Sequence, residues 1–166
     1  MRILALVLAL AAASGVAGCG GPKSQVLPED AVDFRTYRRI GVRAFADKSG
    51  RGKEIAAAFD ARLQQAMYDP VDQKALAVIL TQYTPDRDLG YGIEALEVIH
   101  TKTGADALIT GRMAPDWSSA MVMMSELSAG SPILRALLRP RGRHKKVFTT
   151  PDEVAEEFMR VYRDLR

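Results

Sequence analysis

The chain is almost without cysteine. Cys19 is the only one among 166 residues, so no disulfide can form within the chain, and in an oxidising compartment its fold must be held by packing. Histidine is nearly as scarce. His100 and His144 are the only two; they form no HExxH pattern, and such scattered imidazoles do not make a zinc site. No Gly-x-Ser-x-Gly is present, which excludes a nucleophile elbow. Gly50-Arg51-Gly52-Lys53-Glu54 imitates a phosphate-binding loop but fails twice. Asp47 stands where the first glycine is required, and Glu54 stands where Ser or Thr would hold magnesium. The pairs Glu94/Glu97 and Glu156/Glu157 read as solvated helix faces. Neither sign of charge dominates. The formal net charge is +3, and Arg2 is the one charge in residues 1–18, so residues 19–166 carry +2 and imply no nucleic-acid partner. Beyond the amino terminus, no apolar run approaches the roughly 20 residues of a membrane span. These absences point away from an enzyme and predict no metal, no cofactor and no small-molecule substrate.

What is present begins at the amino terminus. Arg2 supplies a positive start, Ile3 to Ala13 form an apolar stretch, and Val16-Ala17-Gly18 place small residues before Cys19. That order is the layout of a secretory signal peptide. Its end, Val16-Ala17-Gly18-Cys19, resembles a bacterial lipobox. The resemblance implies cleavage between Gly18 and Cys19 and acylation of Cys19; an ordinary secreted protein with an incidental cysteine is the alternative. Acylation contributes about 0.8 kcal/mol per buried methylene, so two or three chains anchor effectively permanently. Gly20 and Gly21 follow where an inner-membrane retention signal would usually show Asp, so the expectation is the periplasmic face of the outer membrane. The organisation expected is a signal peptide at 1–18, the lipidated Cys19 with a flexible tether over 19–35, and a single domain at 36–166. Residues 20–33 are rich in Gly, Pro and Ser. Fully extended they would reach on the order of 50 Å, and as a coil roughly 20 Å.

The remainder alternates strand and helix. Ile40, Val42, Ala44 and Ala46 recur with a period of two, which predicts a strand over 37–46. Ile55, Phe59, Leu63 and Met67 recur every four residues and predict a helix over about 52–68, closed by Asp69-Pro70. A second helix is expected from about 72 to 83, with Leu76, Ile79, Leu80 and Tyr83 on one face. After a polar loop at 84–90, a third is expected over 91–102, burying Ile93, Leu96 and either Ile99 or His100, with Gly104 as a left-handed end. Ala105 to Gly111 is short, apolar and flanked by glycine, and predicts a central strand with helices over both sheet faces. Pro115 to Ser118 reads as a turn. Residues 121–128 and 132–138 read as a hairpin around Ala129-Gly130-Ser131, and Val147-Phe148 as a further short strand. Pro151-Asp152-Glu153 opens a last helix with Val154, Phe158, Val161 and Leu165 inward. The fold class expected is α/β, a mixed sheet packed by about four helices.

This order of elements is similar to that of a group of bacterial envelope lipoprotein domains. The group includes the curli secretion lipoproteins, the lipoprotein activators of penicillin-binding proteins and the amino-terminal domain of TolB. The matching residues are Ile40-Gly41-Val42-Arg43-Ala44-Phe45-Ala46-Asp47 with Ser49-Gly50, the segment Gly104-Ala105-Asp106-Ala107-Leu108-Ile109-Thr110-Gly111, and the hairpin from Met121 to Leu138. The resemblance implies a fold like the TolB amino-terminal domain and an envelope location, and it transfers no catalytic residues. The chain lacks both the long strand insertions of the pore-forming members and the long tether of the synthase activators.

Two features of the domain remain as candidate sites. Arg139, Arg141, Arg143, Lys145 and Lys146 surround His144 in a loop interrupted by Pro140 and Gly142. Such a loop either contacts an anionic surface or is simply solvated. Met121, Met123 and Met124 either pack a strand or offer an adaptable partner surface. The function expected is that of a non-enzymatic periplasmic adaptor or assembly component, tethered to the membrane through acyl chains, in a secretion or surface-polymer export complex. Its partner would be an envelope protein or further copies of the chain. A regulator of a peptidoglycan synthase and an envelope hydrolase with an unrecognised site are the alternatives.

Overall fold

A computed structural model describes residues 23–29, 32–86, 90–142 and 144–165; the signal segment and Cys19 lie outside these. The elements run β1 (Gln25–Pro28), β2 (Arg39–Val42), α1 (Gly52–Gln65), β3 (Asp69–Pro70), α2 (Gln73–Leu80), α3 (Ile93–Thr103), β4 (Ala107–Met113), β5 (Ala120–Glu126), β6 (Ser131–Leu138) and α4 (Pro151–Arg163). They form one six-stranded mixed sheet in the order β1-β6-β5-β4-β2-β3 with four helices, the α/β class expected from the sequence. β4 is central: it pairs in parallel with β2 and antiparallel with β5. Its apolar residues therefore face packed layers on both sides. Ile109 joins the cluster of Val42, Phe59, Met124, Val154 and Phe158 beneath α1 and α4. Leu108 joins Leu76, Leu80, Leu96 and Ile99 beneath α2 and α3. Met123 and Ser125 of β5 are still buried on this face, but further toward the β1 edge and the end of the sheet Leu27, Met121 and Arg135 stay exposed.

Local chemistry explains most boundaries. Thr150 caps α4 by accepting from the Glu153 N–H, with Pro151 in the first turn. Asp72 caps α2 by accepting from the Ala75 N–H at 2.8 Å. Gly104 closes α3 at φ 66° and Gly130 turns the β5–β6 hairpin at φ 66°, left-handed positions that suit glycine. Val154, Phe158 and Val161 are buried as the period predicts.

Several expectations fail for physical reasons. Within the segment expected as a flexible tether, Gln25–Pro28 instead pair antiparallel with Leu134–Leu137 of β6 as an edge strand. The strand expected over 37–46 spans four residues. Val42 lies opposite Ile109, yet Ala46 bridges Arg112, so four steps on one strand face three on the other. That extra residue is a bulge, which reverses the facing of the side chains after it. Phe45 turns into the core while Ala46 is exposed. Gly111 makes this possible, since a Cβ there would sit 2.1 Å from the Phe45 ring. α1 ends at Gln65, and Met67, at φ 66° and 86 % exposed, leaves the stripe. Asp69-Pro70 does not merely stop a helix; it forms β3 against Arg39 and Ile40. In α3, Ala95 is buried instead of Ile93, which lies outward against the Gly130 turn. His100 is exposed, and its Nδ1 lies 2.7 Å from the Ala105 carbonyl. Val147-Phe148 forms no strand; Phe148 is buried and its N–H donates to the Trp117 carbonyl.

Candidate functional site

Strand register assembles the site at one end of the sheet. Met113 lies opposite Ala120, and Ala120 opposite Leu138, so β4 and β6 finish, and β5 begins, at the same end. β1 starts there too, since Gln25 lies opposite Leu137. The chain therefore enters the sheet beside the point where β6 runs out into the basic loop.

Ser24 ties the two together. Its hydroxyl donates to Glu157 Oε1 at 2.6 Å and accepts from the Arg139 N–H at 2.9 Å. Glu157, on the inner edge of α4, is only 6 % exposed, which corrects its reading as a solvated helix residue. A buried carboxylate is costly unless paired and hydrogen-bonded, and here Arg160 supplies a fork: Nη2 to Oε1 at 2.7 Å and Nε to Oε2 at 3.0 Å. Burial pushes the Glu157 carboxyl up, but hydrogen bonds from Arg160 and Ser24, with the charges of Arg160 and Arg141, outweigh it and hold the group below the usual carboxylate range.

The loop residues do not act alike. Arg139 is half-buried, with its backbone committed to Ser24. Lys145 is committed to Glu153, Nζ to Oε1, and Glu153 also accepts from the Thr149 N–H and hydroxyl. Burial opposes ionisation of Glu153, yet these bonds and the Lys145 charge bring its carboxyl down to about 2. Arg141, His144 and Lys146 are exposed, and Arg143 lies outside the described residues, as do Val16, Ala17, Gly18 and Cys19. The structure thus brings Arg139, Arg141, Lys145 and Lys146 to one end, with two of them internally engaged. The methionines divide as well: Met124 and Met123 pack the sheet, and Met121 is exposed.

Sequence reasoning missed Ser24 and Glu157. Glu157 is three residues after Val154 and four before Val161, on the margin of the apolar stripe, with Arg160 one turn on; that spacing was the available signal. Ser24 gave none, because its partners are distant in sequence. Close by, the P-loop-like segment has a packing role: a Cβ on Gly52 would sit 2.0 Å from the Phe45 carbonyl oxygen. Arg51 stacks 4.7 Å from the Trp117 ring centroid. Among the described residues no cluster of three or more His, Cys, Asp or Glu could hold a metal ion, and no helix is long and apolar enough to cross a membrane.

No protein-family model and no curated protein matches the chain. Solved structures similar to it include a PelC dodecamer from Paraburkholderia phytofirmans, at TM-score 0.49 and 11 % identity, covering 81 % of this chain and 95 % of that one. Lipoprotein GNA1162 from Neisseria meningitidis gives TM-score 0.47 and 16 % identity over 76 % of this chain and 95 % of that one. The LpoB C-terminal domain from Escherichia coli gives TM-score 0.47 and 14 % identity over 64 % of this chain and 87 % of that one.

Proposed function

We propose that the protein is a lipid-anchored, non-enzymatic adaptor of the bacterial envelope, a component of a secretion or surface-polymer export assembly, whose basic end rests on an anionic membrane surface. The observation that carries this reading is the Ser24 staple. Cys19 precedes Ser24 by five residues, and a span of that length reaches at most about 17 Å. With Ser24 bonded to Arg139 and Glu157, an acylated Cys19 holds the loop from Arg139 to Lys146 against the membrane. Protein partners must come to this domain close to the lipid surface, since the short tether does not let it search the periplasm. Gly20 and Gly21 favour the outer membrane.

Anchoring is tested by Cys19→Ala. The expected result is a precursor without acyl groups, because no other thiol can form the thioether. Mass spectrometry of the amino terminus decides; an acyl-free mature protein beginning at another residue would sink the lipobox reading.

Orientation is tested on the lipidated chain in vesicles, by the rate at which an amine reagent labels Lys146. A basic residue near an anionic surface gains about 1 kcal/mol, so labelling is expected to be about fivefold slower on anionic than on neutral vesicles. The difference should vanish in high salt, because the Debye length is already only about 8 Å at physiological ionic strength. Lys102, exposed near the end of α3 at the opposite end of the sheet, should not respond. Equal labelling of Lys146 on both surfaces would show that the loop is only solvated.

A further inference from the structure

A groove of about 550 Å³ lies along the free edge of β2, within the range of small-ligand sites, roughly 300–1,000 Å³. It exists because β3 covers only Arg39 and Ile40, leaving the rest of that edge open between α1 and α2. Ala44, Ala57 and Ala77 line it together with Leu76, Leu80 and Tyr91. The three alanines supply no side-chain bulk to fill the gap. The exposed backbone is already satisfied: the Val42 carbonyl accepts from Gln73 Nε2 at 2.9 Å. A ligand there does not have to complete a strand.

The rim is cationic. Arg43, Lys53 and Lys74 stand around the opening, and Arg43 lies over the Tyr91 ring at 5.3 Å from its centroid. Among the described residues none of the ion pairs engages any of the three. Asp60 lies behind Gln73, held by a 2.6 Å hydrogen bond, and does not line the groove. An apolar trough with positive charge at its mouth that no ion pair among the described residues engages is complementary to an apolar chain ending in negative charge. We propose that this groove binds a single-chain anionic amphiphile, its alkyl chain along Ala44, Ala57, Ala77 and Leu80 and its carboxylate or phosphate head among Arg43, Lys53 and Lys74. The inference rests on the groove alone and goes beyond the adaptor reading; it would hold wherever the domain is anchored.

The test uses the lipidated full chain in vesicles of neutral lipid, where no surface charge drives docking, so failure of the orientation proposal does not affect it. Photoactivatable ten-carbon probes with carboxylate, phosphate, hydroxyl or trimethylammonium heads are added from water, and the labelled peptides are identified by mass spectrometry. Saturable labelling of residues 73–83 is expected from the two anionic probes, at least about fivefold above the neutral and cationic ones. The tighter of the two names the head group. Ala77→Trp, at an exposed helical position, should abolish labelling by filling the trough. Lys53→Glu combined with Lys74→Glu should remove the preference for anions. Equal labelling by all four heads, or undiminished labelling of the Ala77→Trp chain, would overturn the proposal. So would saturation by an acidic leucine-rich peptide with no uptake of the alkyl probes, which would make the groove a peptide site.

Discussion

Replacing Ile109 with alanine is expected to destabilise the protein by about 2–5 kcal/mol, the range for truncating a large aliphatic residue in a packed core. Ile109 has no exposed surface. It lies in β4 opposite Val42 on one neighbour and Met124 on the other, under the layer of α1 and α4, so removing its side chain leaves a cavity that rigid neighbours on three sides cannot close. Denaturant unfolding of the purified protein measures the effect. The matching control is Met67→Ala. Met67 sits one helical repeat beyond Leu63 in the sequence but outside α1 in the structure, and its loss should fall within about 0.5 kcal/mol. A loss that small at Ile109 would show that β4 is not the central strand.

The contrast between these two positions shows where the sequence is legible. Periodicity finds elements whose burial is set by their own helix or strand, so the stripe of Val154, Phe158 and Val161 and the apolar run of β4 read directly. It fails where a distant partner decides. β1 contains Pro28 and no alternating pattern; it is a strand because β6 offers an unpaired edge, and proline is tolerated on edge strands. Ala44 and Ala46 fit the period of two, but Phe45 buries far more surface, and Gly111 on the neighbouring strand leaves it a place. The bulge follows from that competition, which no window around residue 45 contains. The site divides the same way. A cluster of arginines and lysines is visible in the sequence as charge, whereas the commitment of Lys145 to Glu153 and of Arg139 to Ser24 depends on α4 and β1 arriving at the same end of the sheet. The Ser24–Glu157 bond spans 133 residues, and neither residue type announces it.

Asp60→Asn is expected to stabilise the protein by about 2 kcal/mol at neutral pH and by no more than about 0.5 kcal/mol at pH 4. Asp60 lies on α1 with Oδ2 accepting from Gln73 Nε2, while Oδ1 is buried with no hydrogen-bond partner. Burial raises its carboxyl from 3.8 to about 6, Gln73 opposing and the Asp72 charge adding to the rise. The direction of the pH effect follows. Below about pH 3 the group is protonated both folded and unfolded and costs nothing. Between pH 4 and 6 the unfolded chain releases the proton while the folded chain keeps it, so stability falls as pH rises. Above about 6 the loss is complete; at 1.36 kcal/mol per pH unit it approaches 3 kcal/mol, and the water still reaching this half-buried group screens it to about 2. Glu153, held at about 2, acts in the opposite sense and loses its contribution only as pH falls below the usual carboxylate range, so it does not mask the Asp60 window. Asparagine keeps the shape and the acceptor for Gln73 and removes the ionisation. Urea melts of both chains at pH 4 and 7.5 distinguish the outcomes. A gain at 7.5 several times that at 4 confirms a buried, uncompensated carboxylate beside the groove. An equal gain at both values would trace to packing, and a loss at 7.5 would mean that the ionised carboxylate is compensated in the folded protein.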